Sequence, residues 1–163
     1  FKKQLKKMPN GRRKSVINRL QQCFDDIEVP KGLMLSWEDI IQIKNAGIEI
    51  GSHTVGHPPL AAIEDDKEVE FELLHSANLI KDKTGEFPKA ISYPVSSYDE
   101  RVKNISRQAG YKIGFAVDQD IYDSTRYDNF QIPRIDLYNE NFFKAKLRIS
   151  GILGRLKKLL RKF

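Results

Sequence analysis

The sequence predicts an α/β fold with a parallel sheet, because helix signatures and short strand signatures alternate along residues 36–117. Strands separated by helices of this length form βα units with right-handed crossovers. In such folds chemistry gathers in the loops leaving the C-terminal ends of the strands. Those loops follow Ile50, Tyr93 and Val117.

Each element has its own signal. Ser36 ahead of Trp37-Glu38-Asp39 is an N-cap with acids in the first turn, and Gly47 closes the helix that follows. Ile48-Glu49-Ile50 alternates apolar and polar residues and reads as a strand ending at Gly51. Asp65 or Asp66 caps a second helix, whose apolar stripe is Val69, Leu73, Ala77 and Ile80 and which Gly85 ends. Residues 90–93 form a strand stopped by Pro94, residues 99–108 a helix closed by Gly110, and residues 111–117 a further strand. Upstream, residues 15–23 read as a helix.

With 40% apolar and 31% charged residues in 163 positions, the chain has the composition of one globular domain. It opens on Phe1 with a basic stretch unlike a secretory signal, so it is expected to start mid-protein. Cys23 is alone, which excludes an internal disulfide and a thiolate-built zinc site. The net charge of +6 is uneven. Residues 1–19 and 144–163 each hold eight Lys or Arg and no acid, leaving twelve basic residues in the middle against all 22 acids. An acidic body disfavours nucleic acid as a partner.

The loop after Ile50 reads Gly51-Ser52-His53-Thr54-Val55-Gly56-His57-Pro58. Two imidazoles four residues apart at a strand end can converge on one cation, Zn²⁺ by default, with a carboxylate as the usual third protein ligand. The spacing alone also suits two surface histidines.

This stretch resembles the His-Ser/Thr-x-x-His motif of polysaccharide deacetylase (NodB-type, carbohydrate esterase family 4) domains. Leu35-Ser36-Trp37 and Leu60 resemble its flanks. Ile91-Ser92-Tyr93-Pro94-Val95-Ser96-Ser97-Tyr98-Asp99 is similar to the family's third motif, with Ser96 where glycine is common, and Ala109-Gly110-Tyr111 resembles the family's Ala-Gly-Tyr/Phe downstream of that motif. Phe130-Gln131-Ile132-Pro133-Arg134-Ile135 looks like the Leu-Pro-Arg-Ile strand of the envelope-polysaccharide branch. The resemblance spans about residues 33–136.

The resemblance implies a partial, distorted (β/α) barrel and a metal-dependent hydrolase that removes acetyl groups, N-acetyl above O-acetyl, from a polysaccharide in the cell envelope. His53 and His57 would be metal ligands, and the backbone near Tyr93 an oxyanion donor. Tyr93, Pro94 and Tyr98 would shape the substrate pocket. Arg134 would orient a carboxylate, or simply form a salt bridge.

The family's Thr-Phe-Asp-Asp motif is imitated by Phe24-Asp25-Asp26, but these follow a helix rather than a strand and lie too close to His53, so a solvated helix end is expected. His75, mid-helix beside the apolar stripe, is expected to be solvent-facing or structural rather than catalytic. The fragment is accordingly expected to be inactive.

Residues 1–140 are thus expected to form an N-terminally truncated deacetylase domain, and residues 141–163 a basic amphipathic helix. Over residues 147–163 that helix either covers the barrel or lies on an anionic membrane. A non-catalytic carbohydrate-binding or membrane-peripheral protein is the alternative function, and a different metal-dependent barrel hydrolase a third.

Overall fold

The computed structural model describes residues 4–5, 8–25, 27, 32–152 and 154. The elements are α1 (Asn10–Gln22), α2 (Trp37–Asn45), α3 (Asp66–Thr84), β1 (Ala90–Ser92), α4 (Glu100–Gln108), β2 (Ile113–Ala116), β3 (Ile132–Pro133) and α5 (Phe142–Ile149).

Side-chain caps explain where the helices start. Ser36 Oγ accepts from the Asp39 N–H at 3.1 Å while Asp39 Oδ2 accepts from the Ser36 N–H at 2.9 Å, a reciprocal capping box at α2. Asp65 accepts from the Lys67 N–H ahead of α3, and Asp99 from the Val102 N–H ahead of α4. The α3 helix ends at Gly85, whose φ of 81° lets its N–H turn back to the Lys81 carbonyl.

The three strands pair in parallel in the order β1-β2-β3, with Ile91 opposite Gly114 and Phe115 opposite Ile132. α3 and α4 pack against each other, and their stripes meet the sheet in one core of Leu60, Ile63, Val69, Leu73, Ala77, Ile91, Tyr93, Val102, Ile105, Tyr111 and Phe130. This is the expected α/β architecture. Lys103, almost fully buried, is accommodated because its ammonium reaches Glu100 at 2.6 Å and Asp128 at 2.7 Å, tying α4 to the segment before β3.

Strand lengths differ from expectation. Residues 48–50 form no ladder, and only Ser52 bridges to Ile91, through Ser52 N–H to Ala90 O and Ser92 N–H to Ser52 O, each 2.9 Å. The neighbouring chain bends at Lys89, immediately before β1, so the earlier residues have no straight partner to run along.

The last helix begins at Phe142, at the expected boundary near residue 141, where Asn141 Oδ1 accepts from the Lys144 N–H. α5 buries none of its residues and stops at Ile149 before Gly151, whose φ is 74°. Of the expected helix 147–163, residue 153 and residues 155–163 lie outside the described residues.

Candidate active site

Ser52, the bridging residue, leads straight into the histidine loop. Its hydroxyl is buried against that of Ser76 on α3, 2.7 Å away. Thr54 and His57 both adopt left-handed backbone, with φ of 69° and 52°. Such a conformation costs a non-glycine residue about 1–2 kcal/mol, so other bonds must hold it. Thr54 Oγ1 accepts from the His57 N–H at 3.1 Å. The carboxylate of Glu72, reaching up from α3, accepts from the N–H groups of Val55 at 2.9 Å and Gly56 at 2.7 Å.

Glu72 and Ser76 were not singled out from the sequence. The available signal was their spacing: Glu72 is three residues after Val69 and Ser76 three after Leu73, which puts both on the buried side of α3. A carboxylate on a core-facing stripe needs a partner, and the loop supplies it.

The two imidazoles touch edge to face, with centroids 4.8 Å apart and planes at 81°. His53 Nδ1 lies 2.6 Å from the Ser92 carbonyl oxygen at the end of β1. A carbonyl can only accept, so Nδ1 carries the proton and a neutral ring presents its lone pair at Nε2. The rings border different clefts. A cleft of about 550 Å³ is lined by Glu49, Ser52, His53, Ser92, Phe115 and Arg134, whereas His57 faces one of about 480 Å³ with Arg13, Lys14, Ile17, Pro59 and Val95.

Neutral imidazoles are donors that a borderline divalent ion such as Zn²⁺ takes. The pair offers nitrogen donors of the type such an ion takes, although the two rings border different clefts. Among the described residues, no group of three or more His, Cys, Asp or Glu is gathered to enclose an ion.

The remaining candidates divide. Arg134 is half-buried beside His53, and its Nε has no hydrogen-bond partner among the described residues. Tyr93 and Pro94, expected as pocket walls, are instead fully buried, because β1 delivers Tyr93 into the core, where its ring stacks on Tyr98 at 4.9 Å. The Tyr93 N–H, expected to face an oxyanion, donates to the Phe115 carbonyl at 3.1 Å and extends the sheet. Burial pushes the Tyr93 phenol up to about 12. Burial and then the Asp118 carboxylate, which accepts from its hydroxyl at 3.2 Å, raise Tyr98 as well. Both phenols therefore stay protonated at neutral pH.

Ser96 and the preceding Val95 are left-handed, with φ of 52° and 49°, and Ser96 Oγ accepts from the Val117 N–H, so the loop keeps its turn without glycine. Asp25 is exposed in the turn after α1, and Asp26 lies outside the described residues. His75 is exposed and stacks on Phe71 at 5.0 Å, on the outside of α3.

The sequence model of the polysaccharide deacetylase family matches residues 7–114, about two thirds of the chain. The chain belongs to the polysaccharide deacetylase family. The match takes in α1 and Phe24-Asp25-Asp26 as well as the histidine loop, beginning earlier than the motifs alone suggested, and it ends before Arg134.

Solved structures agree on the fold of this deacetylase-family chain. A Streptococcus pyogenes deacetylase, PplD, determined with acetate, superposes with a TM-score of 0.66 at 20% identity, covering 72% of this chain and 51% of that one. A de-N-acetylase from Aggregatibacter actinomycetemcomitans gives 0.61 at 14% identity, covering 82% and 69%. A polysaccharide deacetylase from Bacillus cereus gives 0.60 at 21%, covering 76% and 38%. The chain thus spans about half the length of the Streptococcus protein. No curated protein matches it in sequence.

Proposed function

We propose that this chain contributes the histidine part of a metal-dependent site that removes acetyl groups, N-acetyl in preference to O-acetyl, from a polysaccharide. The observation that carries the reading is the contact of His53 with His57 at the end of the sheet, with the Ser92 carbonyl fixing the His53 ring. His53 and His57 would hold a divalent ion, Zn²⁺ by preference, which when bound supplies Lewis acidity toward an acetyl carbonyl oxygen. The Ser92 carbonyl sets the tautomer and angle of one ligand, as partners of metal-binding histidines commonly do.

Arg134 lines the same cleft as His53, which supports a role in orienting a carboxylate. Tyr98 and the exposed Val95, which lines the His57 cleft, would face the glycan.

Hydrolysis also needs a proton acceptor close to the attacked carbon. No described carboxylate joins the two imidazoles in a ligand cluster. The 163-residue chain, incubated with Zn²⁺ and an N-acetylglucosamine oligosaccharide, is therefore expected to release little or no acetate. Release at the rate of a full-length deacetylase would overturn this and direct attention to Asp25 and Asp26.

A second role, peripheral contact with an anionic membrane, is favoured by α5. Phe142 and Phe143 are 81% and 71% exposed, next to Lys144 and Lys146. Aromatic rings flanked by lysines suit the interface, where each lysine near an anionic surface contributes about 1 kcal/mol. Co-sedimentation with phosphatidylserine vesicles should fall with salt and disappear in the double variant Phe142→Ser, Phe143→Ser. Unchanged sedimentation of that variant would exclude the helix as the contact.

A further inference from the structure

Glu72 is only 5% exposed and spends its charge on the backbone of the histidine loop. Two of the three N–H groups between the histidines, those of Val55 and Gly56, converge on its Oε2 at 2.9 and 2.7 Å. Charge-assisted bonds of this kind, made away from water, are the strong ones, and they offset the desolvation of the carboxylate. A Cβ on Gly56 would lie 2.9 Å from Glu72 Oε1, so it is the absence of a side chain there that lets the carboxylate close on the loop. On either side of this contact, Thr54 and His57 occupy left-handed conformations that other residues must impose. Ser76, one turn further along α3, holds the start of the loop through Ser52.

We infer that Glu72 is a positioning residue for the metal site: through the Val55 and Gly56 N–H groups it fixes the turn that sets His53 against His57. This rests on the reading of the two histidines as metal ligands. Glu72 Oε2 is occupied by the backbone, and among the described residues Glu72 joins no group of three or more His, Cys, Asp or Glu that could hold an ion. Its action on the imidazoles runs entirely through the main chain between them. The same helix then performs two tasks, packing Val69, Leu73 and Ala77 into the core while Glu72 carries the loop above it.

Two measurements on the full chain test this: amide hydrogen exchange at Val55 and Gly56, and calorimetric titration with Zn²⁺. In Glu72→Ala both amides should exchange roughly tenfold faster or more, while amides of β1 keep their protection. Zn²⁺ affinity should fall roughly 10- to 100-fold, as for loss of a residue that orients a ligand. Glu72→Gln, which keeps an acceptor oxygen in place, should recover much of both and remain folded if the alanine variant does not. Glu68→Ala, on the same helix but bonded to Asn10 and Lys14 on α1, should change neither.

Unchanged exchange at Val55 and Gly56 in the Glu72 variants would overturn the inference, as would an equal effect from Glu68→Ala. A wild-type chain that takes up no Zn²⁺ would remove the metal reading and with it the metal part of the inference. The exchange rates would still decide whether Glu72 holds the loop.

Discussion

Titrated with Zn²⁺, the chain is expected to bind one ion, and His53→Ala or His57→Ala should each lower the affinity by about 100-fold or more. Loss of a ligand costs more than loss of the group that orients it, for which roughly 10- to 100-fold is typical. The two variants need not be equal. His53 is fixed by the Ser92 carbonyl and so arrives with its Nε2 lone pair already presented. His57 depends on its left-handed backbone and the Thr54 hydroxyl bonded to its N–H. Its ring therefore has more freedom to lose on binding, and the ordering entropy should make its contribution the smaller. Equal Zn²⁺ affinity in the wild type and both alanine variants would mean that the ring contact is a surface packing feature. A wild type that binds no ion would do the same.

How legible each element was in the sequence depended on where its free energy lies. Three helices, α2 to α4, were placed almost to the residue because their ends are local: the Ser36–Asp39 box, the Asp65 and Asp99 caps and the left-handed Gly85 are all written in neighbouring positions. By contrast α1, which no side chain caps, starts at Asn10, five residues before the expected residue 15. Strand ends were not placed so closely. Whether Ile48-Glu49-Ile50 pairs depends on how far β1 runs straight, and the bend at Lys89 that shortens it has no counterpart in the pattern of residues 48–50. The last helix starts close to the expected residue 141, where Asn141 caps it.

The site was legible to a similar degree. His53 and His57 could be found because two ligand-type residues stand together at a strand end. The role assigned to Tyr93 could not be checked against sequence, since its N–H is committed by Phe115, twenty-two positions away, and its ring by Tyr98. Glu72 escaped notice because a glutamate in an amphipathic helix is ordinarily solvated. Its spacing from Val69 puts it on the buried side of α3, and the loop above that helix shows what it bonds there.

Gly114→Ala is expected to destabilise the fold by roughly 1–3 kcal/mol or more, the range for overpacking a close-packed interior. A methyl group there would meet Tyr93 Oη first, then lie 2.8 Å from Tyr93 Cζ and 2.9 Å from the Phe130 carbonyl oxygen. None of these can withdraw cheaply. Tyr93 is fully buried and stacked on Tyr98, and the main chain at residue 130 is held close because the Gly114 N–H donates to the Asn129 carbonyl at 2.8 Å. Gly114 itself is fixed opposite Ile91 in the parallel ladder, so β2 cannot slide without breaking its register with β1. Gly11→Ala provides the opposite sign: it lies in α1, its added methyl would meet nothing within 4 Å, and alanine favours a helix over glycine by about 1 kcal/mol. Urea unfolding followed through Trp37 fluorescence should move the midpoint down for Gly114→Ala and up for Gly11→Ala. A Gly114→Ala midpoint equal to wild type would mean that Tyr93 does not pack onto β2. The wall between the core and the His53 cleft, which β2 shares through Phe115, would then need to be drawn differently.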